Sequence, residues 1–130
     1  MKIEAIQPGV DELAKGIVEC AFKVHRQLGA GLLESVYEIC LCYKLRKAGF
    51  RFVSQATVPV VYDALRIGTG LRLNLLIEDQ VIIELKAVEE LLPVHQAQLL
   101  TYLKLAGKRL GLLINLNTPL LKDGIRRFAL

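Results

Sequence analysis

The sequence lacks several features that would assign it to a specialised class of protein. Its 130 residues contain no tryptophan, one methionine and three cysteines, none of which form a Cys-x-x-Cys pair. Cys40 and Cys42 fall on different sides of a predicted helix, so neither a zinc site nor a disulfide framework is expected. We interpret all three thiols as small buried hydrophobes in a reducing cytosol and expect a cytoplasmic location.

Long apolar runs are also missing. The charge-free stretch Leu110–Leu121 is shorter than the ~20 residues that a membrane span requires, and it is broken by glycine, asparagine and proline. Met1–Ala5 contains an acid and no apolar region typical of a secretory signal. Because no linker or low-complexity segment interrupts the chain, we expect one domain over residues 1–130, with no membrane partner.

The charge that is present is unevenly distributed. Residues 1–103 carry 11 basic and 12 acidic side chains, whereas residues 104–130 carry six basic side chains against one acid. The net charge of +4 therefore comes from the C-terminal end, which suits binding to a phosphate backbone and equally suits a solvated surface. The six candidate nucleic-acid-binding residues are Lys104, Lys108, Arg109, Lys122, Arg126 and Arg127.

The hydrophobic pattern changes its period along the chain. Helical spacing is followed by β-branched and aromatic segments, then by a helix that Pro93 opens, and then by further strands. The predicted helices are Val10–Leu28, Leu32–Ala48 and Val94–Leu105, and the predicted strands are Phe50–Val53, Thr57–Tyr62, Leu71–Ile77, Val81–Val88, Leu110–Leu116 and Ile125–Ala129. This order predicts an α+β fold with a mixed central sheet flanked by helices.

Short connections between the middle strands predict an antiparallel meander. One of them, Gly68-Thr69-Gly70, lacks the lysine and hydroxyl residue that follow a phosphate-binding loop, so we interpret it as a turn. No helix-turn-helix, zinc-finger or RNA-platform pattern is present, so the sequence indicates no means of reading bases.

Two charged residues stand on a strand that otherwise has the pattern of a buried one. In Val81–Val88, alternation places Glu84 and Lys86 on one face, although apolar residues occupy both faces at the start of the strand. A simple ion pair near the strand end would account for them, and so would a binding site. If the preceding strand turns back at residues 78–80, Asn74 lies beside them on the same face.

The helices offer further candidates with ordinary alternatives. Glu34 and Tyr37 are three residues apart on one helix face, yet an acid in a first turn is commonly a dipole partner and a tyrosine is commonly a core residue. Gln98 and Tyr102, four residues apart, align on a face of the third helix. His95 is interpreted as a surface residue of the first turn.

Four segments in order resemble the motifs of the GxxExxY proteins, a branch of the PD-(D/E)XK nuclease superfamily. The similarity covers nearly the whole chain and implies a restriction-endonuclease-like αβββαβ core. The segments are Gly31–Tyr37, Glu84–Lys86, Pro93–Leu103 and Gly111–Asn117.

The resemblance also implies roles for individual residues. Glu84, with the carbonyl of Leu85, would bind a metal, Mg²⁺ or Mn²⁺, and Lys86 would orient the attacking water and stabilise charge on the phosphate. Glu34 would supply a further acid, and Gln98, with Tyr37 and Tyr102 as supporting residues, would complete the site. Hard divalent cations take oxygen ligands of this kind and activate water for phosphodiester hydrolysis.

One position departs from the family pattern. Asn74 stands where these proteins carry the aspartate of the strand before the Glu-x-Lys element, and an amide oxygen carries no charge. The resemblance therefore implies a Mg²⁺-dependent nuclease acting on DNA or RNA whose metal site and activity are weakened or lost. Asn74 is compatible with a natural silent copy and with an inactivating substitution.

Two other functions fit the sequence. One is a non-catalytic module that retains the nuclease fold and binds nucleic acid or a protein. The other is a structural partner that forms a homodimer through its surplus of apolar surface.

Overall fold

A computed structural model describes residues 8–130, in which three α-helices flank a five-stranded sheet. The segment Met1–Ala5, where no secretory signal was recognised, lies outside the described residues. The helices are α1 (Pro8–Leu28), α2 (Glu34–Lys47) and α3 (Pro93–Ala106). The strands are β1 (Phe52–Tyr62), β2 (Leu65–Ile77), β3 (Val81–Lys86), β4 (Leu110–Asn115) and β5 (Ile125–Ala129), with a short 3₁₀ helix, Leu121–Gly124, before β5.

The strands lie in sequence order across the sheet, β1 to β5. Neighbours are antiparallel except β3 and β4, which are parallel because α3 carries the chain back across the sheet between them. The predicted α+β fold and its mixed sheet are confirmed. The αβββαβ order is present as α2-β1-β2-β3-α3-β4, preceded by α1 and followed by β5. None of the described helices is both long enough and apolar enough to cross a membrane.

The two faces of the sheet are covered unequally. Helices α1 and α2 cover one face, where the larger core includes Ile17, Leu41 and Leu45, and α3 covers the other with Leu99 and Leu103. All of Val81–Leu85 is buried, as expected for a central strand covered on both sides.

The hairpin of β1 and β2 is longer than predicted. Phe50–Val53 and Thr57–Tyr62 were expected to be separate strands, and Gly68–Gly70 was expected to be a turn; both predictions are wrong. Strand β2 passes through the glycines, and the pairing slips there, from Val58 opposite Leu71 to Val60 opposite Ile67. Pro59 lies at the slip, where a residue without an N–H cannot continue the ladder. The glycines therefore form a bulge instead of a turn.

A second irregularity lies nearer the centre of the sheet. Gln55 has a left-handed backbone, with φ of 54°, and lies across from Asn74 between two regular pairs. On β2, Leu75 packs into the core beneath α2, but Leu73 packs into the core beneath α3. Two residues that are two apart on a regular strand share one face, so the strand changes face at Asn74. This change of face brings the Asn74 side chain to the edge of β3.

Candidate active site

Strands β2 and β3 stop pairing where the polar residues begin. Regular pairs join residues 75–77 to 81–83, and beyond them the two side chains replace the ladder. The backbone N–H of Asn74 donates to Oε1 of Glu84 at 3.3 Å, and the backbone N–H of Leu85 donates to Oδ1 of Asn74 at 2.9 Å. The predicted proximity of Asn74 and Glu84 is confirmed, and both are held by backbone donors in a fork between the strands.

Glu84 is the buried carboxyl at the fork, and it is only 5% exposed. Burial raises its pKa to about 7, because a charged carboxylate loses its hydration there. The hydrogen bond from Asn74 and the charge of Lys86 lower this pKa, but they do not offset burial, and Glu34 and Glu38 raise it further. A carboxyl in this setting favours either a proton or a nearby cation at neutral pH.

Lys86 is half-buried and is directed toward α3. Its Nζ donates to Oε1 of Gln98 at 3.4 Å, and Nε2 of Gln98 donates to the hydroxyl of Tyr102 at 2.9 Å. Among the described residues the ion pairs lie elsewhere, so the simple Glu84–Lys86 ion pair is not formed. The spacing of Gln98 and Tyr102 places both on the face of α3 that meets Lys86. The ammonium is thus held by the neutral amide of Gln98 and not by the Glu84 carboxylate.

Helix α2 brings two acids toward the fork. Glu34 is the first residue of the helix and is exposed, and Glu38 follows one turn later. Glu38 accepts hydrogen bonds from Nε2 of Gln55 at 2.8 and 3.0 Å and from the Ser54 hydroxyl at 3.4 Å. Sequence reasoning missed Glu38 and Gln55. The four-residue spacing from Glu34 was a signal for the first, and no pattern indicated the left-handed backbone of the second.

Tyr37 does not reach the fork. Its side chain is fully buried beneath α2, and its hydroxyl donates to the carbonyl of Gly29 at 2.6 Å and accepts from the N–H of Leu32 at 3.1 Å. It therefore fixes the loop between α1 and α2, and so positions the start of the helix that carries Glu34.

Asn115 is a second buried polar residue that the sequence did not single out. Its side chain bonds both the N–H and the carbonyl of Val88, at 3.1 and 2.9 Å, and accepts from the N–H of Asn117. These bonds fasten the chain leaving β3 to the end of β4. They stabilise the end of the strand that presents Lys86, because Asn115 is its neighbour in the parallel pair.

The six basic residues of the C-terminal end do not form a single cluster. Lys108 pairs with Asp79, and Arg127 pairs with Asp11 on α1. Lys104 and Arg109 lie near the start of β4, whereas Lys122 and Arg126 lie near its far end, because β4 crosses the sheet between them. Arg126, near the end where Lys86 lies, borders a pocket of about 190 Å³ that also contains Glu89 and Glu90.

The arrangement of donors limits what the fork can hold. Glu84 offers a carboxylate, Asn74 offers a neutral amide oxygen, and Lys86 offers a positive charge nearby. No group of three or more histidine, cysteine, aspartate or glutamate side chains in the described part of the chain is arranged to hold a metal ion. The fork therefore combines one carboxylate, one amide and one ammonium.

Similarity to known proteins is found at the level of a family and not of individual proteins. No curated protein and no solved structure matches the chain. A family model described as the PD-(D/E)XK nuclease superfamily matches residues 11–128, from the start of α1 to the end of β5. That range includes the fork, the Glu84–Lys86 element and α3, in the order that the restriction-endonuclease-like core requires. The chain belongs to the PD-(D/E)XK nuclease superfamily.

Proposed function

We propose that this protein is a nuclease-like phosphodiesterase domain that binds nucleic acid and whose hydrolytic activity is reduced because Asn74 occupies the position of an acid. The observation that carries the proposal is the fork itself. Glu84, Lys86 and Gln98 are brought to one strand end, and the side chain beside them is an amide. The motif resemblance to the GxxExxY proteins supports the same assignment of Glu84 and Lys86.

Magnesium is the cofactor that the superfamily implies. The residues present match it only in the type of ligand atom that they offer, which is oxygen. Carboxylate and amide oxygens and the Leu85 carbonyl are suitable ligands for a hard cation, but Glu84 alone supplies charge at the fork, and Glu34 is exposed on α2. The donor set therefore falls short of a complete Mg²⁺ site. We assign no catalytic step to a bound ion in this chain.

The protein's own groups still supply part of the chemistry. The Lys86 ammonium, held by Gln98, gives a fixed positive charge where a phosphate would develop negative charge. Gln98 and Tyr102 orient that ammonium through a continuous pair of hydrogen bonds. Glu84 accepts from a backbone N–H and keeps its second oxygen for a cation or a proton.

Replacing Asn74 by aspartate tests the proposal. Asn74→Asp is expected to raise cleavage of single- and double-stranded DNA and RNA about a hundredfold with Mg²⁺ or Mn²⁺, and adding Lys86→Ala should abolish the gain. Asn117→Asp, which adds the same charge away from the fork, is the matched control. If Asn74→Asp gains no activity on any of these substrates, the nuclease proposal for this site is overturned.

Metal binding gives a readout that does not depend on choosing the right substrate. The melting temperature of Asn74→Asp should rise with Mg²⁺ concentration, whereas the unchanged chain and Asn117→Asp should respond much less. An equal response of all three proteins would show that the added carboxylate does not complete a metal site.

One observation favours a non-catalytic function instead. Asn74 Oδ1 and Glu84 Oε1 each accept a backbone N–H, so the two side chains also act as a structural clamp between β2 and β3. In that case the domain would bind nucleic acid or a protein without cleaving it. Affinity for nucleic acid that falls steeply between low and moderate salt would support a phosphate-binding module, and a flat response would favour a protein partner.

A further inference from the structure

A cavity of about 280 Å³ lies at the end of α1. It is bounded by the last turns of that helix and by the loop and 3₁₀ helix that follow β4, and we call it the α1 pocket. Among the described residues no acidic side chain lines it, so the lining favours an anion. The walls combine apolar and basic residues, which include Phe22, Pro119, Leu120, His25, Arg26 and Lys122.

The two exposed cations of the pocket are not used by the fold. The side chains of Arg26 and Lys122 form no ion pair and no hydrogen bond with any described residue. By contrast, Lys108 and Arg127 pair with acids, and Arg126 donates to backbone carbonyls. A basic residue in a last helical turn commonly stabilises the helix dipole. That role accounts for Arg26 but not for Lys122, which comes from another element.

His25 is a buried polar residue of the pocket that the fork does not use, and it is only 8% exposed. Its Nε2 lies 2.7 Å from the carbonyl oxygen of Thr118. Because a carbonyl only accepts, Nε2 donates, and the second ring nitrogen, Nδ1, is left without a partner among the described residues. No buried side-chain nitrogen or oxygen in that part of the chain lacks a partner, so Nδ1 is open to a ligand. The ring therefore offers one hydrogen-bonding nitrogen beside the two cations.

The α1 pocket lies at the same end of the sheet as the fork. Lys86 and Asn115 are paired neighbours at the ends of β3 and β4. The chain that leaves β4 at Asn115 reaches Thr118, the partner of His25, after three residues, which span at most about 11 Å. A single strand of a few nucleotides that is bound at the fork therefore reaches the pocket as well.

We propose that the α1 pocket binds one nucleotide of a single-stranded nucleic acid, with the phosphate between Arg26 and Lys122 and the base against Phe22 and Leu120. Arginine and lysine neutralise backbone phosphates, and an aromatic ring stacks on a base of any identity. A cavity of about 280 Å³ is near the lower limit of small-molecule sites, which suits one nucleotide. The inference rests on the proposed function for the kind of ligand, but it does not require cleavage at the fork.

Fluorescence anisotropy in EDTA, with a labelled single strand of about 12 nucleotides, is the experiment. Arg26→Ala combined with Lys122→Ala should weaken binding at least about tenfold and lower the slope of log Kd against log salt by about 1.4, because two phosphate contacts are lost. Lys15→Ala combined with Arg66→Ala removes the same charge from exposed positions on α1 and the hairpin, and should bind within about twofold of the unchanged chain. Equal losses in the two double variants would overturn the proposal, as would an unchanged chain that does not bind the strand.

A charge placed on the apolar wall tests the position of the ligand. Leu120→Glu puts an acid in the pocket and should also weaken binding about tenfold. Val61→Glu makes the same change on the hairpin, at a side chain that is 59% exposed against 56% for Leu120, and should have little effect. Inorganic phosphate and an acidic peptide of the same net charge as the strand serve as competitors, and neither should displace it at equal concentration. Displacement by phosphate would indicate a site for the free ion, and displacement by the peptide would indicate a protein partner, so either result would contradict the proposal.

Kinetics in the Asn74→Asp chain separate this proposal from the proposed function. Adding Arg26→Ala and Lys122→Ala there should raise KM and leave kcat within about twofold, because the pocket binds substrate away from the reacting phosphate. Cleavage with an unchanged KM would overturn the pocket alone. Binding that depends on Arg26 and Lys122, in a protein that Asn74→Asp does not activate, would support the pocket and overturn the nuclease proposal.

Discussion

The hairpin of β2 and β3 carries two glutamates in opposite surroundings. Glu78, in the turn, accepts hydrogen bonds from the backbone and the guanidinium of Arg51, which lower its pKa. Glu84, six residues later, is buried without an ion pair among the described residues, and its pKa rises to about 7. Glu78 therefore forms an ion pair with Arg51, whereas Glu84 in the fork forms none with a described residue. A buried acid left without a counter-ion distinguishes a site from an ordinary charged surface.

The largest expected effect comes from removing the buried charge. In the folded protein the raised pKa means that Glu84 holds its proton more tightly than in the unfolded chain. Its contribution to stability is therefore present below pH 4.5 and is lost as pH rises through about 7. Glu84→Gln keeps an acceptor for the Asn74 N–H and cannot ionise. At pH 8 it should be more stable by on the order of 3 kcal/mol.

Urea denaturation in EDTA at pH 4.5 and pH 8 measures this difference. At pH 4.5 the two proteins should have nearly equal free energies of unfolding, because Glu84 is then protonated in the folded state. A difference that is the same at both pH values would mean that burial does not raise the pKa of Glu84, and the comparison of the two carboxyls would fail.

A smaller effect is expected at Gln98. This residue joins Lys86 to Tyr102, so Gln98→Ala leaves a half-buried ammonium and a hydroxyl without their partner. The free energy of unfolding should fall by about 1 kcal/mol. Gln96→Ala, at a half-buried position on the same helix, is the matched control, and equal losses in the two variants would show that the hydrogen-bond pair is not what stabilises α3 here.

The smallest effect belongs to the surface carboxyl. Glu78→Gln removes the ion pair with Arg51, whose side chain is 89% exposed, but keeps an acceptor for the Arg51 N–H. The melting temperature at pH 7 should change by no more than about 1 °C, because water screens such pairs. Since the pKa of Glu78 is lowered, any contribution it makes is present above pH 4.5 and disappears as pH falls. If Glu78→Gln lowered stability by as much as Glu84→Gln is expected to raise it at pH 8, the contrast between the two carboxyls would be contradicted.

The parts of the site that the sequence predicted are those on regular elements. Alternation along β3 placed Glu84 and Lys86 on one face, and the short turn at residues 78–80 placed Asn74 beside them. The hydrogen bonds that join Asn74 to Glu84 and Leu85 confirm that Asn74 lies beside Glu84. Helical spacing likewise aligned Gln98 with Tyr102. Local periodicity is therefore sufficient to predict which residues lie together when neighbouring strands, or successive turns of one helix, carry them.

The parts that were missed depend on irregular backbone or on distant elements. The left-handed Gln55 and the change of face at Asn74 follow from no periodic pattern, so the contact between Gln55 and Glu38 was not predicted. Tyr37 shares a helix with Glu34, but its hydroxyl closes a loop of the scaffold. Basic residues that are close in sequence were expected to act together, yet a strand that crosses the whole sheet separates Arg109 from Lys122.

Pro59 and the slipped pairing beside it have a consequence for how copies of this chain can meet. Strand β1 is an edge of the sheet, with its outer side open to strand addition. A proline offers no N–H, and the bulge opposite Pro59 bends the ribbon, so another chain cannot extend the sheet along this edge without interruption. The backbone of β1 thus protects this edge of the sheet against aggregation by strand addition.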